Sequence, residues 1–174
     1  DMSLLFHNNN ILVVSEYNTN KEIGVLAKIK NNLELPNGNT RIEIVGIKRV
    51  KVIEFLNLSK TNEPLESIVS EFSVSKIENE ELIISKIKKE LKEYIKLIPY
   101  LSNCILDLIE KEKDLSKFID KITPNIITDR KRVMEYLKTV EPLKRAEMLL
   151  RDIYLEKEKF QIERSLDLKV KKEL

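Results

Sequence analysis

The chain has 174 residues, of which 42% are hydrophobic and 34% are charged, and its formal net charge is +2. This composition is typical of a folded, helix-rich protein rather than a disordered one, and the near-neutral charge gives no reason to expect a polyanion as obligatory partner. A single cysteine excludes an internal disulfide, and no apolar run approaches the ~20 residues that cross a bilayer, so we expect a reducing, cytoplasmic location without membrane attachment.

Up to about residue 75 the apolar residues recur with a period of two, which predicts β-strands. The predicted strands are five short segments: Ile11–Val14, Ile23–Ile29, Thr40–Val45, Lys48–Leu58 and Leu65–Val74. Short strands with tight connections predict a small, mostly antiparallel barrel or sandwich.

The connection between the second and third of these strands contains the pair Asn37-Gly38. Both residues tolerate positive φ, so the pair predicts a tight hairpin. On the return strand, Ile42 and Ile44 are expected to share one face, and Gly46 is expected to interrupt the strand.

From Asn79 onward the apolar period becomes 3.6, which predicts helices. Asn79 is the expected N-cap of the first helix, and Thr128 or Asp129 is that of the fourth. Pro124 is expected in a turn with its neighbour Asn125, and Cys104 is expected as a small buried residue. The predicted helices are Asn79–Ile98, Tyr100–Glu110, Leu115–Ile122, a helix from the Thr128/Asp129 cap to Lys138, and Pro142–Leu174.

The last predicted helix, about 50 Å long, is longer than its own apolar stripe. Lys157 breaks the stripe, and beyond Phe160 its positions hold Arg164 and Asp167. We therefore expect the distal part to be exposed in a single copy and to form the root of a coiled-coil arm. The stripe expected to pack on the bundle is Leu143, Ala146, Leu150, Ile153 and Phe160, and a second stripe on another face begins with Ile162, Leu166 and Val170.

These patterns predict three parts: a β-rich lobe at 1–75, a helical bundle at 76–140 and the long helix at 141–174. The chain opens at Asp1-Met2, which is not a natural start, and its charged helical pattern continues to Leu174. From both ends we expect the chain to be a fragment of a longer protein.

The residues of common catalytic sites are missing. The three glycines cannot form a phosphate-binding loop or a dinucleotide fingerprint, and one cysteine with one histidine, His7, cannot form an ordinary zinc site. A Ser–His–Asp triad would depend on His7, which is expected to be an exposed turn residue, and no nucleophile elbow is present. Spacing does not exclude a Ser–Lys dyad, because both residues are abundant. We predict no enzyme activity and no catalytic, cofactor or metal residues in this chain.

Three segments around the predicted hairpin follow one pattern: a glycine-containing strand at Glu22–Ile29, a Leu-Pro-Asn-Gly turn within Leu33–Gly38, and a Gly-hydrophobic-x-Arg strand within Ile44–Lys51. This pattern resembles the N-terminal, substrate-binding domain of the Lon family of ATP-dependent proteases. In it Gly24 suits a bulge or close backbone approach, Gly46 a bend, and Arg49 an ion pair within the barrel.

A second, separate match is similar to the last bundle helix of that family and to the start of its long arm. It consists of Met134–Leu137, the pair Glu141-Pro142, Arg145 and the segment Gln161–Lys172. The family usually begins with a Pro-Leu-Arg-containing strand and a Phe-Pro segment, neither of which precedes Ile11. The barrel is therefore expected to have an open edge.

The resemblance implies an α+β fold, in which a PUA-like antiparallel β-barrel or sandwich is followed by a helical bundle with a long C-terminal helix. It implies a parent that is a hexameric AAA+ protease with a Ser–Lys dyad, using ATP and Mg, none of whose ATPase or protease residues lies in this chain. The implied partners are unfolded or degron-bearing proteins and further copies of the parent.

Two other functions remain open: an RNA-binding module, since PUA-like barrels also occur in RNA-modifying proteins, and a free-standing binding module without protease domains. Residues 1–75 contain eight lysines and arginines against nine aspartates and glutamates, which disfavours specific nucleic-acid binding. Apolar residues at expected exposed positions are the candidate protein-binding surface: Leu33, Leu35, Pro36, Phe55, Leu56 and Leu58.

Overall fold

The computed structural model describes residues 10–15, 21–57, 59, 65–98 and 104–174. The chain divides into two compact units, Asp1–Ser73 and Val74–Leu174. The first, the sheet unit, contains the strands and the second, the helical unit, contains the helices, which confirms the α+β class. His7 and Leu58 lie outside the described residues.

The strands of the sheet unit form one antiparallel sheet in the order β1-β2-β3-β4. Within the described ranges, β1 and β4 are therefore its two edges. The strands are β1 Asn10–Val13, β2 Ile23–Glu34, β3 Thr40–Leu56 and β4 Glu66–Glu71.

The predicted interruption at Gly46 is wrong. β3 continues through it for 17 residues, so the described sheet has four strands where five were predicted. Leu26 lies opposite Lys48 while the next residue, Ala27, lies opposite Gly46, so Ile47 is an extra residue in the ladder. Such a bulge bends a strand and increases its twist without ending it, which is why the pairing resumes at once.

The hairpin at Asn37-Gly38 is confirmed. Gly38 has a φ of 83°, a left-handed conformation that favours glycine. A close approach occurs at Gly24, where a Cβ would lie 2.6 Å from Leu12 Cδ1 and 3.0 Å from the Val13 carbonyl oxygen, so a side chain there would displace the Leu12 side chain and crowd the backbone of β1.

The helical unit contains five helices in its described part, and their apolar faces share one core. The helices are α1 Glu80–Leu97, α2 Cys104–Ile109, α3 Leu115–Ile126, α4 Arg130–Lys138 and α5 Pro142–Glu173. The fully buried apolar side chains come from all of them except α4: Ile87, Leu91, Ile109, Leu115, Phe118, Ile119, Ile122, Leu149 and Ile153.

The predicted starts of α1, α3, α4 and α5 are close to those observed, whereas the predicted start of the second helix at Tyr100 lies outside the described residues. Asp129 is the N-cap of α4, and its side chain accepts a hydrogen bond of 3.1 Å from the backbone N–H of Lys131. Asn79 is at the N-cap of α1 as predicted, but it has a φ of 59° and its side chain makes no capping hydrogen bond. Asparagine therefore suits this position because it tolerates a left-handed backbone conformation, and not because its side-chain oxygen accepts a capping hydrogen bond.

Two predictions within the bundle are wrong. Pro124 lies inside α3 and not in a turn between two helices. The helix tolerates it because it lies in the last helical turn, where its missing N–H leaves only one further backbone carbonyl without a partner. Cys104 is exposed, not buried. It is the first residue of α2, whose buried face is made by the i, i+4 pair Ile105 and Ile109.

The buried stripe of α5 differs from the predicted one. Ala146, Leu149 and Ile153 are buried, whereas Leu143 is exposed and Leu150 is only half-buried. Residues three or four positions apart lie on the same helix face, so Leu149 shares the buried face with Ala146 and Ile153. The prediction had placed Leu150 at this position of the stripe. Every residue from Gln161 to Leu174 is exposed, as predicted.

Lys157, the residue that breaks the predicted stripe, connects α5 to α1. Its Nζ lies 3.0 Å from Glu90 Oε2 and 3.1 Å from Glu93 Oε2. Burial lowers the pKa of Lys157, but the two carboxylate hydrogen bonds outweigh it and raise that pKa above its usual value. The last packed turn of α5 is thus held by charge, and the exposed part of the helix begins one turn later.

Candidate protein-binding surface

The middle of the β2–β3 pair extends beyond the strands on either side. β1 pairs with β2 only up to Lys28, and β4 pairs with β3 only from Val50 onward. Within the described residues, the segment Ile29–Ile47 therefore pairs only with itself and with the adjoining part of β2. We call this segment the distal hairpin.

The tip of the distal hairpin is fixed by three short hydrogen bonds. The Leu35 N–H donates to the Asn39 carbonyl at 2.7 Å, and the Gly38 N–H donates to the Leu35 carbonyl at 3.0 Å. The Asn39 N–H donates to Asn37 Oδ1 at 3.0 Å, which closes an Asx turn. The turn therefore holds the exposed side chains of Leu35 and Pro36 in place.

Large apolar side chains emerge from both faces of the distal hairpin. Leu33 is 59% exposed and Ile47 is 49% exposed, and both Ile44 and Val45 are also exposed. Because successive side chains of a strand point to opposite faces, Ile44 and Val45 lie on different faces. A cross-strand hydrogen bond of 2.8 Å from Asn31 Nδ2 to Glu43 Oε2 ties the two strands between these apolar positions.

Ile42 is half-buried and Ile44 is exposed, and the exposure of Ile44, Val45 and Ile47 was not predicted. Ile44 lies opposite Ile29, which is buried, while Ile44 itself remains at the rim. The run Ile44-Val45-Gly46-Ile47 indicates this exposure in the sequence. Consecutive apolar residues in a strand point to both faces, and an antiparallel hairpin rarely has both faces buried.

The structure does not bring the two predicted apolar groups together. Leu33, Leu35 and Pro36 lie at the tip of the distal hairpin, whereas Phe55 and Leu56 lie half-buried at the opposite end of β3. The strand between them is about 50 Å long at 3.2–3.4 Å per residue. The tip group therefore shares a surface with the exposed apolar residues of β3, and the group at the other end does not.

Of the motif residues, Arg49 is half-buried on β3 opposite Val25. Its expected ion pair within the barrel stays a prediction. No cluster of three or more histidine, cysteine, aspartate or glutamate side chains suited to a metal ion is found in the described ranges. None of the described helices is both long and apolar enough to cross a membrane.

The charged residues of the helical unit join helices to one another. Asp152 on α5 accepts hydrogen bonds from Arg132 Nε at 2.8 Å, from Arg132 Nη2 at 3.0 Å and from the Tyr136 hydroxyl at 2.6 Å. Burial and the hydrogen bond to Asp152 raise the pKa of Tyr136 well above its usual range, and the Asp152 hydrogen bond likewise raises the pKa of Arg132. Both groups keep their protons at neutral pH, so they act here as fixed donors that hold α4 on α5.

A family model described as the ATP-dependent protease La (LON) substrate-binding domain matches residues 4–153. The Lon protease of Brevibacillus choshinensis is 30% identical over 153 residues, which are 87% of this chain and 19% of that protein. The Lon protease of Bacillus thuringiensis (strain Al Hakam) is 25% identical over 152 residues, with the same coverage of 87% and 19%. The chain thus spans about a fifth of the length of these curated relatives.

Two solved structures have a similar fold. The N-terminal domain of the Mycobacterium avium complex Lon protease superposes with a TM-score of 0.61 at 16% identity, over 87% of this chain and 92% of that one. A Lon N-terminal domain protein from Xanthomonas campestris superposes with a TM-score of 0.51 at 14% identity, over 82% and 73%. The family-model match ends at Ile153, so the resemblance of Gln161–Lys172 lies outside it.

Proposed function

Because this chain belongs to the family of ATP-dependent protease La (Lon) substrate-binding domains, we propose that it captures unfolded or degron-bearing protein segments for a Lon protease, and that the distal hairpin is its capture surface. The observation that carries the proposal is the fixed, paired hairpin with large apolar side chains exposed on both faces. A folded protein rarely leaves such residues in water unless they meet a partner.

The chemistry of the distal hairpin fits an extended polypeptide. On the side of β3 that faces away from β2, the described residues provide no strand partner between Thr40 and Arg49. The backbone N–H and C=O groups on such an edge can pair with an added strand, whose side chains then fall alternately on the two faces. An unfolded segment can supply both the free backbone and the apolar side chains, whereas a folded protein has used both in its own structure.

The energy of such a contact is sufficient for weak, reversible capture. Full burial of a large aliphatic side chain contributes about 1.5–3 kcal/mol, and part of this is offset by ordering the substrate segment. A few side chains from the distal hairpin therefore give modest affinity without strong sequence selectivity. That behaviour suits a domain that has to accept many substrates and release them.

The catalytic steps belong, in this proposal, to other domains of the parent protein. An ATPase with bound ATP and Mg would unfold the substrate, a Ser–Lys dyad would cleave it, and the whole would act in the cytoplasm. A downstream reading frame without a phosphate-binding loop would instead favour the free-standing binding module.

We expect the double variant Leu33→Glu/Ile47→Glu to bind an unfolded protein about tenfold more weakly, since a loss of about 1.4 kcal/mol corresponds to that factor. The measurement is fluorescence anisotropy with labelled, chemically unfolded casein. Leu155→Glu/Leu168→Glu is the matched control, because it adds the same two charges at similarly exposed leucines on α5 of the helical unit.

The control should bind casein as the unaltered chain does. Unchanged binding by the double variant, or an equal loss in the control, would show that capture occurs elsewhere. A single-stranded RNA bound in the submicromolar range at physiological salt would favour the RNA-binding function, since non-specific binding is expected only at about 10⁻⁴–10⁻⁶ M.

We also propose that the distal part of α5 takes part in assembly of the parent hexamer. Ile162, Leu166 and Val170 are exposed at spacings of four residues and so lie on one side of the helix. We expect sedimentation velocity to show an average mass that rises with concentration, and Leu166→Glu to abolish the rise while Lys171→Glu, at an exposed position on the opposite side of the helix, preserves it. A strictly monomeric chain at all concentrations would contradict this role.

A further inference from the structure

A groove of about 580 Å³ lies between α4 and α5 in the helical unit. Each helix contributes residues at spacings of three and four, so two helical stripes face each other across it. The lining residues are Arg132, Glu135, Lys138 and Thr139 from the α4 side, and Lys144, Glu147, Met148 and Arg151 from α5.

The positively charged side chains that line this groove differ in whether a carboxylate pairs with them. Arg132 is paired with Asp152 and with Glu135. Lys138, Lys144 and Arg151 are exposed and make no ion pair in the part of the chain that the structure describes. Three available cations therefore face solvent around the half-buried side chain of Met148.

The two walls of the groove are held rigidly. The two hydrogen bonds from Arg132 to Asp152 and the hydrogen bond from Tyr136 to Asp152 fix α4 against α5. Arg145 in turn fixes α5 against α3, with Nη1 2.7 Å from Asp120 Oδ1 and Nη2 2.6 Å from Ser116 Oγ. A surface that is ordered before binding costs less entropy when a partner docks.

We propose that this groove docks a short acidic segment of a partner protein, with carboxylates at Lys138, Lys144 and Arg151 and an apolar side chain on Met148. Lys144 and Arg151 are seven helical residues, or about 10 Å, apart. An extended peptide covers that distance with about three residues. The site lies in the helical unit and selects charge, so it is separate from the capture surface proposed for the distal hairpin.

The other polyanion that a cationic groove could take is a nucleic acid, and the lining disfavours it. The lining has no aromatic ring on which a base could stack. The polarizable thioether of Met148 suits an apolar side chain from a peptide.

The test uses a labelled peptide of about ten residues, rich in glutamate with a central leucine, titrated at about 50 mM salt so that screening is modest. The double variant Lys144→Glu/Arg151→Glu should bind it at least about tenfold more weakly. The matched control is Lys169→Glu/Lys172→Glu, which makes the same charge change on the exposed distal part of α5. The control should lose no more than about threefold, through net charge alone.

Three results would overturn the proposal: equal losses in the groove variant and the control, equal binding of a peptide with glutamine in place of glutamate, or tighter binding of a short single-stranded DNA through the same two residues. The distal-hairpin variant Leu33→Glu/Ile47→Glu should bind the acidic peptide normally. Failure of one proposed site can therefore be told from failure of the other.

Discussion

Leu149→Ala is expected to lower the free energy of unfolding of the helical unit by roughly 2–5 kcal/mol, because it removes a fully buried side chain and leaves a cavity. Leu149 has a relative exposure of 0% and lies on α5 between the buried residues Ala146 and Ile153. Urea denaturation followed by circular dichroism at the helical band measures the change, and the chain has no tryptophan to provide a fluorescence signal.

Leu168→Ala is the matched control, since it makes the same chemical change on the same helix at a side chain that is 54% exposed. Its effect should stay within about 0.5 kcal/mol. Equal losses from the two variants would mean that the distal part of α5 is packed as firmly as the proximal part. In that case the helix would not project beyond its own bundle.

Arg145→Ala is expected to lower the free energy of unfolding by roughly 1.5–3 kcal/mol, since it removes the charge-assisted hydrogen bonds of a buried guanidinium. The Arg145 side chain is 1% exposed, and it donates to Asp120 on α3 and to Ser116 on the same helix. The substitution therefore removes these hydrogen bonds together with the packing of the aliphatic stem. The measurement is again the urea transition.

Arg151→Ala is the control for this variant, because Arg151 is an exposed arginine on the same helix without an ion pair among the described residues. It should change stability by no more than about 0.5 kcal/mol. Arg145→Lys should restore only part of the loss, because one ammonium cannot reproduce the fork that reaches both Asp120 and Ser116. Full restoration by lysine would show that charge alone, and not the fork geometry, matters at this position.

Local signals in the sequence identified the elements that local chemistry determines. Gly38 specifies the hairpin turn through its positive φ and Asn37 through its side-chain oxygen, and Asp129 specifies the start of α4 through its side-chain oxygen. The errors occur where tertiary packing decides. The bulge at Ile47 lets β3 continue past Gly46, which no pattern within β3 alone reveals, because the register depends on β2.

The candidate surface was predictable only in part for the same reason. Leu33 and Leu35 follow from their position beside a hairpin tip, which has to lie at the surface. The exposure of Val45 and Ile47 depends on how far the distal hairpin extends beyond β1 and β4, and strand lengths are not determined by apolar period. The groove between α4 and α5 was not predicted at all, since it arises from the facing of two helices whose stripes are ordinary solvated charges in the sequence.

The proposal of substrate capture by the distal hairpin is tested most directly by hydrogen exchange of backbone amides, measured with and without chemically unfolded casein. An added strand on the edge of β3 should slow exchange of the amides between Thr40 and Arg49 and leave those of α1–α5 unchanged, because only the former gain hydrogen-bond partners. Slowing confined to Val74–Leu174, with the amides of β3 unaffected, would contradict the account.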